Sequence, residues 1–244
     1  ELKEKQPVPD FELANTRIGS GSDHTVFLNF LGIPTVGLTF VGPYGVYHSL
    51  YDDFYWMNHF GDPGYRYHSL ITQLWGTVAL RLANAELLPF DFESYGQHIR
   101  QFLTELDEAS HLASHIDLGS LQKHATEFQQ SGQDLKQSEN RAVASGRLNS
   151  GLASNINREL MRVEHNWCTS EGIPGRPWFK HSLYAARYTY AHLELPGLTE
   201  AAEAGDWKRA GDQARILEDE LVKNTMLLKH VRQELESLAA GETQ

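Results

Sequence analysis

Residues 206–240 read DWKRAGDQARILEDELVKNTMLLKHVRQELESLAA, and this stretch decides the fold class of the C-terminal part. Its apolar positions alternate steps of three and four residues, which is the spacing of one helix face. The pattern predicts a helix about 48 Å long, at about 1.5 Å per residue. A bundle helix and a coiled coil would both show this seam, and its many alanines favour the bundle. The seam positions are Trp207, Ala210, Ala214, Leu217, Leu221, Asn224, Leu228, Val231, Leu235 and Leu238.

Upstream of this helix the chain divides into two regions near Pro89. Residues 89–244 carry three further helical patterns and are predicted to form an all-α bundle. Residues 1–88 are predicted to be an α/β segment, with a helix over 23–31, a strand over 35–40 and an amphipathic helix over 70–82 that ends by Pro89. On the helix over 23–31, Val26, Phe27, Phe30 and Leu31 make an apolar face.

Composition excludes several classes of function. The 244 residues hold 32 acidic and 21 basic side chains, a net charge of −11, and no basic cluster, so we expect no nucleic-acid partner. No apolar run reaches the roughly 18 residues of a membrane span, so we expect this chain to be soluble and without membrane contact. Cys168, the single cysteine, allows neither an internal disulfide nor a zinc site built from cysteines.

Two segments carry groups suited to a functional site. The loop Gly19-Ser20-Gly21-Ser22-Asp23 opens a predicted helix, where it would either bind an anion or serve only as a capping turn. Tyr47 and His48 follow the predicted strand, where an imidazole can reach a metal and a phenol can donate a hydrogen bond. One histidine cannot hold a catalytic zinc ion, which needs three protein ligands.

Taken together, these segments resemble the glutamate carboxypeptidase II and transferrin receptor family. The resemblance runs in order over essentially the whole chain. Because several motifs match at the right separations, it is more specific than any single glycine loop. The matching stretches are Gly19-Ser20-Gly21-Ser22-Asp23, Leu31-Gly32-Ile33, Tyr47-His48-Ser49, Leu88-Pro89-Phe90-Asp91, Arg176-Pro177, Tyr190-Ala191 and Leu195-Pro196-Gly197.

The resemblance implies a domain organisation. Residues 1–88 would be the last part of a zinc-exopeptidase α/β domain, and residues 89–244 a helical dimerisation domain. The chain would then be a piece of a longer protein, a type II membrane protein that faces the vacuolar, lumenal or extracellular side. That parent would be a homodimer that holds two zinc ions and cleaves peptides. This chain alone lacks most metal ligands and the general base, so we expect it to bind zinc weakly or not at all.

The resemblance also assigns roles to single residues. His48 would be the last zinc ligand, and Tyr47 would stabilise the tetrahedral intermediate. The loop of Ser20, Gly21 and Ser22 would line the pocket for the substrate carboxylate, which Tyr190 would also contact.

Departures from the glutamate-selective pattern bear on the substrate. Ser22 stands where that pattern has Asn, Thr189 where it has Lys, and Gly37 and Thr39 where it has arginines. Loss of this positive charge removes the electrostatic basis for an acidic substrate, so we expect a neutral peptide end.

Three functions remain open on the sequence. The parent would be a zinc exopeptidase, a transferrin-receptor-like binding scaffold without metal, or, for this chain alone, a dimerisation module. The pair Tyr47-His48 favours the enzyme, because a scaffold has no need for a histidine at that position. Large aromatic side chains would either anchor the dimer interface or fill the core; they are Phe128, Trp167, Trp178, Phe179 and Trp207.

Overall fold

The computed structural model describes residues 17–40, 42, 44–187 and 190–241. Eight α-helices and one two-stranded sheet are defined within them, together with a π-helical turn at Met57–Gly61 and a 3₁₀ turn at Leu112–Ser114. The elements are α1 (His24–Leu31), α2 (Phe54–Trp56), α3 (Arg66–Ala83), α4 (Phe92–Ser110), α5 (Leu118–Ala144), α6 (Ser150–His165), β1 (Tyr184–Ala186), β2 (His192–Glu194), α7 (Pro196–Glu203) and α8 (Trp207–Ala240).

The long C-terminal helix is confirmed, and its seam is the centre of a helical bundle. α8 packs mainly along α5 and also contacts α6 and α7. Its seam residues Leu217, Leu221 and Leu228 are buried. Asn224, in the middle of the seam, is fully buried, accepts a 2.7 Å hydrogen bond from Asn166 and donates one to the carbonyl of Val163. Asn224, the polar residue of the seam, therefore joins α8 to the end of α6.

The helices α4 and α5 approach closely because glycine lies at both crossing points. A Cβ on Gly96 would lie 2.7 Å from the Cα of Gln129, and one on Gly132 would lie 2.5 Å from the carbonyl carbon of Phe92. Such distances exclude any side chain. The two glycines allow the backbones to touch and hold the start of α4 against the middle of α5.

The large aromatic residues divide between core and surface. Phe128 and Trp167 are fully buried within the bundle and therefore belong to its core, whereas Trp178 is 55% exposed. Trp207, at the start of α8, stacks on His115 with ring centroids 3.7 Å apart.

The region between α1 and α4 differs from the bundle in its burial. α3 forms as an 18-residue helix, but none of its residues is buried. Residues 35–40, expected to form a strand, have irregular backbone, so that prediction is wrong. A strand needs a neighbour to satisfy its backbone, and the described part of the chain provides none beside these residues. No helix among the described residues is long and apolar enough to cross a membrane.

Candidate functional site

The glycine loop is held against the segment before β2 by backbone pairing. Gly19 forms a bridge with Ala191, the Ser20 amide donates to the Tyr190 carbonyl at 3.1 Å, and the Ser20 hydroxyl donates to the Ala191 carbonyl at 2.8 Å. A Cβ on Gly21, whose φ is +71°, would lie 3.0 Å from the Tyr190 ring. Ser20 is therefore engaged within the chain, and Gly21 leaves room for the Tyr190 ring.

The Tyr190 ring lies beside Tyr47 and His48, which belong to the loop before α2. Its hydroxyl is 3.4 Å from each ring nitrogen of His48, a long contact for a hydrogen bond. The Tyr47 ring stacks on His48 at 4.0 Å between centroids and lies 5.9 Å from the Tyr190 ring. We call Tyr47, His48 and Tyr190 the aromatic cluster. It brings together residues that are more than 140 positions apart in the chain.

The backbone at the aromatic cluster is left-handed at two positions. His48 has φ of +61° and Tyr190 has φ of +56°. Residues with a Cβ rarely adopt this conformation, and it is concentrated at functional sites, where the surrounding structure holds it in place. At His48 the amide faces the Asp52 carboxylate at 3.4 Å, and Asp53 caps α2 by accepting from the Trp56 amide at 2.8 Å. These contacts fix the turn that presents the imidazole.

The aromatic cluster is open to solvent. Tyr47 is 54% exposed and Tyr190 is 46% exposed, and His48 and Ser22 are exposed as well. The hydrogen bond between the Tyr47 and Tyr190 side chains raises the pKa of the Tyr47 phenol. Tyr47 therefore stays protonated and able to donate at neutral pH. Ser22 contributes a backbone hydrogen bond at the start of α1, in which its carbonyl accepts from the Thr25 amide.

The described residues do not form a metal site by themselves. No group of three His, Cys, Asp or Glu side chains that could hold a metal ion comes together in the described ranges. An exposed imidazole such as that of His48 fits the role of one zinc donor, but one donor supplies too little of a coordination shell. A catalytic zinc ion would therefore need donors from outside the described residues.

Sequence reasoning missed Asn29, which joins α1 to the segment of residues 180–192. Its side chain, fully buried on α1, donates to the Tyr184 carbonyl at 3.2 Å and accepts from the Ala186 amide at 3.1 Å. The same oxygen lies 3.2 Å from His192, and the Asn29 carbonyl accepts from the Lys180 and His181 amides. Burial lowers the pKa of His192 to about 4 and keeps its imidazole neutral.

Burial on α1 does not follow its apolar face. Leu28 and Asn29 are buried, whereas Val26, Phe27 and Leu31 are about half exposed. The only signal in the sequence was a polar residue placed in the middle of a short apolar helix. Apolar spacing alone does not reveal a polar side chain that is buried for its hydrogen bonds.

A second cluster that sequence reasoning missed is enclosed in the bundle. His181 is fully buried and lies 2.8 Å from the Glu164 carboxylate, which also accepts from the Tyr95 hydroxyl at 3.0 Å. The other ring nitrogen of His181 accepts from the amides of Leu183 and Tyr184. These groups satisfy one another, so the cluster holds the segment after α6 in place.

Comparison with known proteins agrees with this architecture. Residues 116–229 match the transferrin receptor-like dimerisation domain family. The chain is 34% identical over 187 residues to the probable glutamate carboxypeptidase LAMP1 of Arabidopsis thaliana, covering 76% of this chain and 27% of that protein.

More distant relatives differ in the activity that they are named for. The aminopeptidase NAALADL1 of Rattus norvegicus is 27% identical over 208 residues, covering 81% of this chain and 28% of that protein. An inactive zinc metalloprotease of Schizosaccharomyces pombe is 26% identical over 210 residues, covering 80% of this chain and 26% of that protein. The chain thus spans about a quarter of the length of these relatives. At the level of the family, it corresponds to the C-terminal portion of the glutamate carboxypeptidase and transferrin receptor-like proteins.

Proposed function

We propose that this chain is the C-terminal part of a zinc exopeptidase, in which it supplies one metal ligand, part of the substrate pocket and the homodimer interface. The observation that carries the proposal is the aromatic cluster. The glycine loop, the loop before α2 and the segment before β2 meet there, and they present two phenols and an imidazole to solvent.

Each residue of the site has a proposed role that suits its chemistry. His48 would be one donor to zinc, whose other ligands lie outside the described residues, and the bound metal would activate water for hydrolysis. Tyr47 would donate to charge that develops on the cleaved carbonyl. The loop of Ser20, Gly21 and Ser22, with Tyr190, would receive the substrate carboxylate.

The exposed apolar residues between α1 and α4 support a larger peptidase domain. Leu50 is 98% exposed, and Tyr51 and Phe54 are each 76% exposed, in a chain whose bundle buries its own apolar residues well. Exposure on this scale marks an interaction surface. We propose that residues 1–88 complete a domain formed with other parts of a longer, membrane-anchored protein that faces a lumenal, vacuolar or extracellular space.

The zinc assignment predicts a loss of metal when His48 is removed. In the full-length protein, His48→Ala should lower zinc content and abolish peptide hydrolysis. His59→Ala, which removes an exposed imidazole stacked on Tyr55, is the matched control and should change neither. Elemental analysis and peptide hydrolysis measure both effects. Equal zinc content in wild type and His48→Ala would contradict the assignment.

Substrate preference would follow from the charge at the positions that the family resemblance assigns to the substrate pocket. Gly37 and Thr39 are exposed and uncharged, and Arg187 is already paired with Glu203 through contacts of 2.8 and 2.6 Å. Thr189 lies outside the described residues. The full-length enzyme should therefore cleave dipeptides ending in Leu or Ala faster than those ending in Glu, as kcat/KM for the series would measure. A strong preference for the Glu peptide would contradict this proposal.

A non-catalytic scaffold is the second candidate. A relative named as an inactive zinc metalloprotease supports it, because that protein shares this C-terminal part. A full-length protein without stoichiometric zinc that still dimerises would identify the scaffold. In either case we propose a homodimer, since the match to a dimerisation domain covers most of the bundle.

A further inference from the structure

The outer face of α8 carries a short apolar patch that the bundle leaves uncovered. Met226 is 67% exposed and Val222 is 36% exposed, one helical turn apart. The opposite face of the same helix is buried against α5, α6 and α7. Elsewhere in the described bundle, exposed apolar residues of this size on helices are single, as with Val143 on α5 and Met161 on α6.

Charged residues flank the patch in an ordered way. The acid Asp219 lies one turn before Val222, and the base Lys229 lies one turn after Met226. Their neighbours are already engaged, since Glu218 turns toward α5 and contacts Ser120 and His124, and His230 pairs with Glu234. At 3.6 residues per turn, Asp219 and Lys229 border the same face of α8 as Val222 and Met226. Asp219 and Lys229 are exposed and form no side-chain hydrogen bond or ion pair within the described part of the chain.

We infer that the outer face of α8 is a self-complementary contact between two copies of this chain, in which the helices cross antiparallel with the two-fold axis beside residue 224. This register places Val222 of one copy opposite the partner's Met226. It also places Asp219 opposite the partner's Lys229. A two-fold axis repeats each of these contacts, which is the property of an isologous interface.

The charge order selects this arrangement over its alternatives. In a parallel pairing Asp219 would face the partner's Asp219 and Lys229 the partner's Lys229, which is unfavourable. The face also lies within residues 116–229, the segment that matches the dimerisation family. Stable dimers bury roughly 1,200 Å² or more, so the α8 crossing would be the centre of a wider contact.

The inference deepens the homodimer of the proposed function and is tested with the chain itself by sedimentation velocity over a range of concentrations. Met226→Glu should raise the dimer Kd by about tenfold or more, because a central apolar anchor is replaced by charge. Met161→Glu, on an exposed position of α6, is the matched control and should leave the Kd unchanged. Melting followed by circular dichroism should show both variants folded.

A charge exchange tests the register independently of apolar burial. Asp219→Lys and Lys229→Asp should each weaken the dimer, and the double variant should restore it, since each new lysine meets a partner aspartate. A dimer that survives Met226→Glu, or a double variant as weak as the single ones, would overturn the α8 contact and leave the homodimer standing. A wild-type chain that stays monomeric at all concentrations would overturn both.

Discussion

The carboxyl group of Glu220 is enclosed in the bundle, on the side of α8 that faces the segment after α6. One of its oxygens accepts from the Ser182 hydroxyl at 2.5 Å, and the other is buried without a partner. Burial raises the pKa of Glu220 to about 8, against an ordinary value of 4.5. At neutral pH the folded chain therefore keeps a proton here that the unfolded chain releases.

This difference makes stability depend on pH with a known sign. Because the pKa is raised on folding, the folded state binds more protons between pH 4.5 and 8, and stability falls as pH rises through that range. Glu220→Gln should remove this part of the fall and should be more stable than wild type at pH 8.5. Urea unfolding at several pH values measures the difference. Glu234→Gln, at a more exposed position of α8, is the control.

Asn29 makes a second prediction, which concerns how α1 is attached. Asn29→Ala removes its side-chain contacts with Tyr184, Ala186 and His192 and leaves buried polar groups unsatisfied. We expect a loss of about 3 kcal/mol of unfolding free energy, from about 1–3 kcal/mol per unsatisfied group. Asn140→Ala, at an exposed position of α5, should have little effect. Chemical denaturation measures both, and faster amide exchange at Ala186 would show where the structure loosens.

The helices were predictable because each depends on its own apolar spacing. α8 follows from the seam of residues 207–238, and α5 and α6 follow from similar patterns. The strand over 35–40 was wrong because a strand depends on a neighbour that local sequence does not reveal. The short hairpin of β1 and β2 was missed because each strand has only three residues, too few to show an alternating pattern.

The candidate site was predictable only as separate pieces. Residue chemistry singled out the glycine loop, Tyr47 and His48, but Tyr190 came from the resemblance alone. No local pattern shows that Tyr190 comes within 3.4 Å of His48, because the two residues are 142 positions apart and meet only through the tertiary fold. Asn29 gave little signal for the same reason, since its partners at residues 180–192 are about 150 positions away in the chain.

Across the whole molecule, burial is concentrated in the bundle and in the residues of α1 that contact it. This distribution predicts opposite responses to the same kind of substitution. Leu70→Glu combined with Leu74→Glu, on exposed positions of α3, should leave the Tm of this chain unchanged and reduce binding of an apolar dye. Leu221→Glu, at a fully buried position of α8, should unfold it.

The α3 substitutions also test the proposal of a larger domain. In the full-length protein the same face would be covered, so the double variant should lower its Tm or its yield. An unchanged full-length protein would contradict the proposal that residues 1–88 complete a larger domain.

The attachment of α1 through Asn29 matters to anyone who exchanges segments between relatives of this protein. A crossover at residue 88 would look natural, because composition changes there. It would nevertheless take residues 180–192 from one parent and Asn29, which hydrogen-bonds to their backbone groups, from the other. A chimera that transplants the helical bundle therefore needs residues 17–32 from the same donor, as a second graft. In such hybrids α1 and residues 180–192 would come from the same parent and keep their hydrogen bonds. Their dimer preference could then be compared without a misfit at this contact.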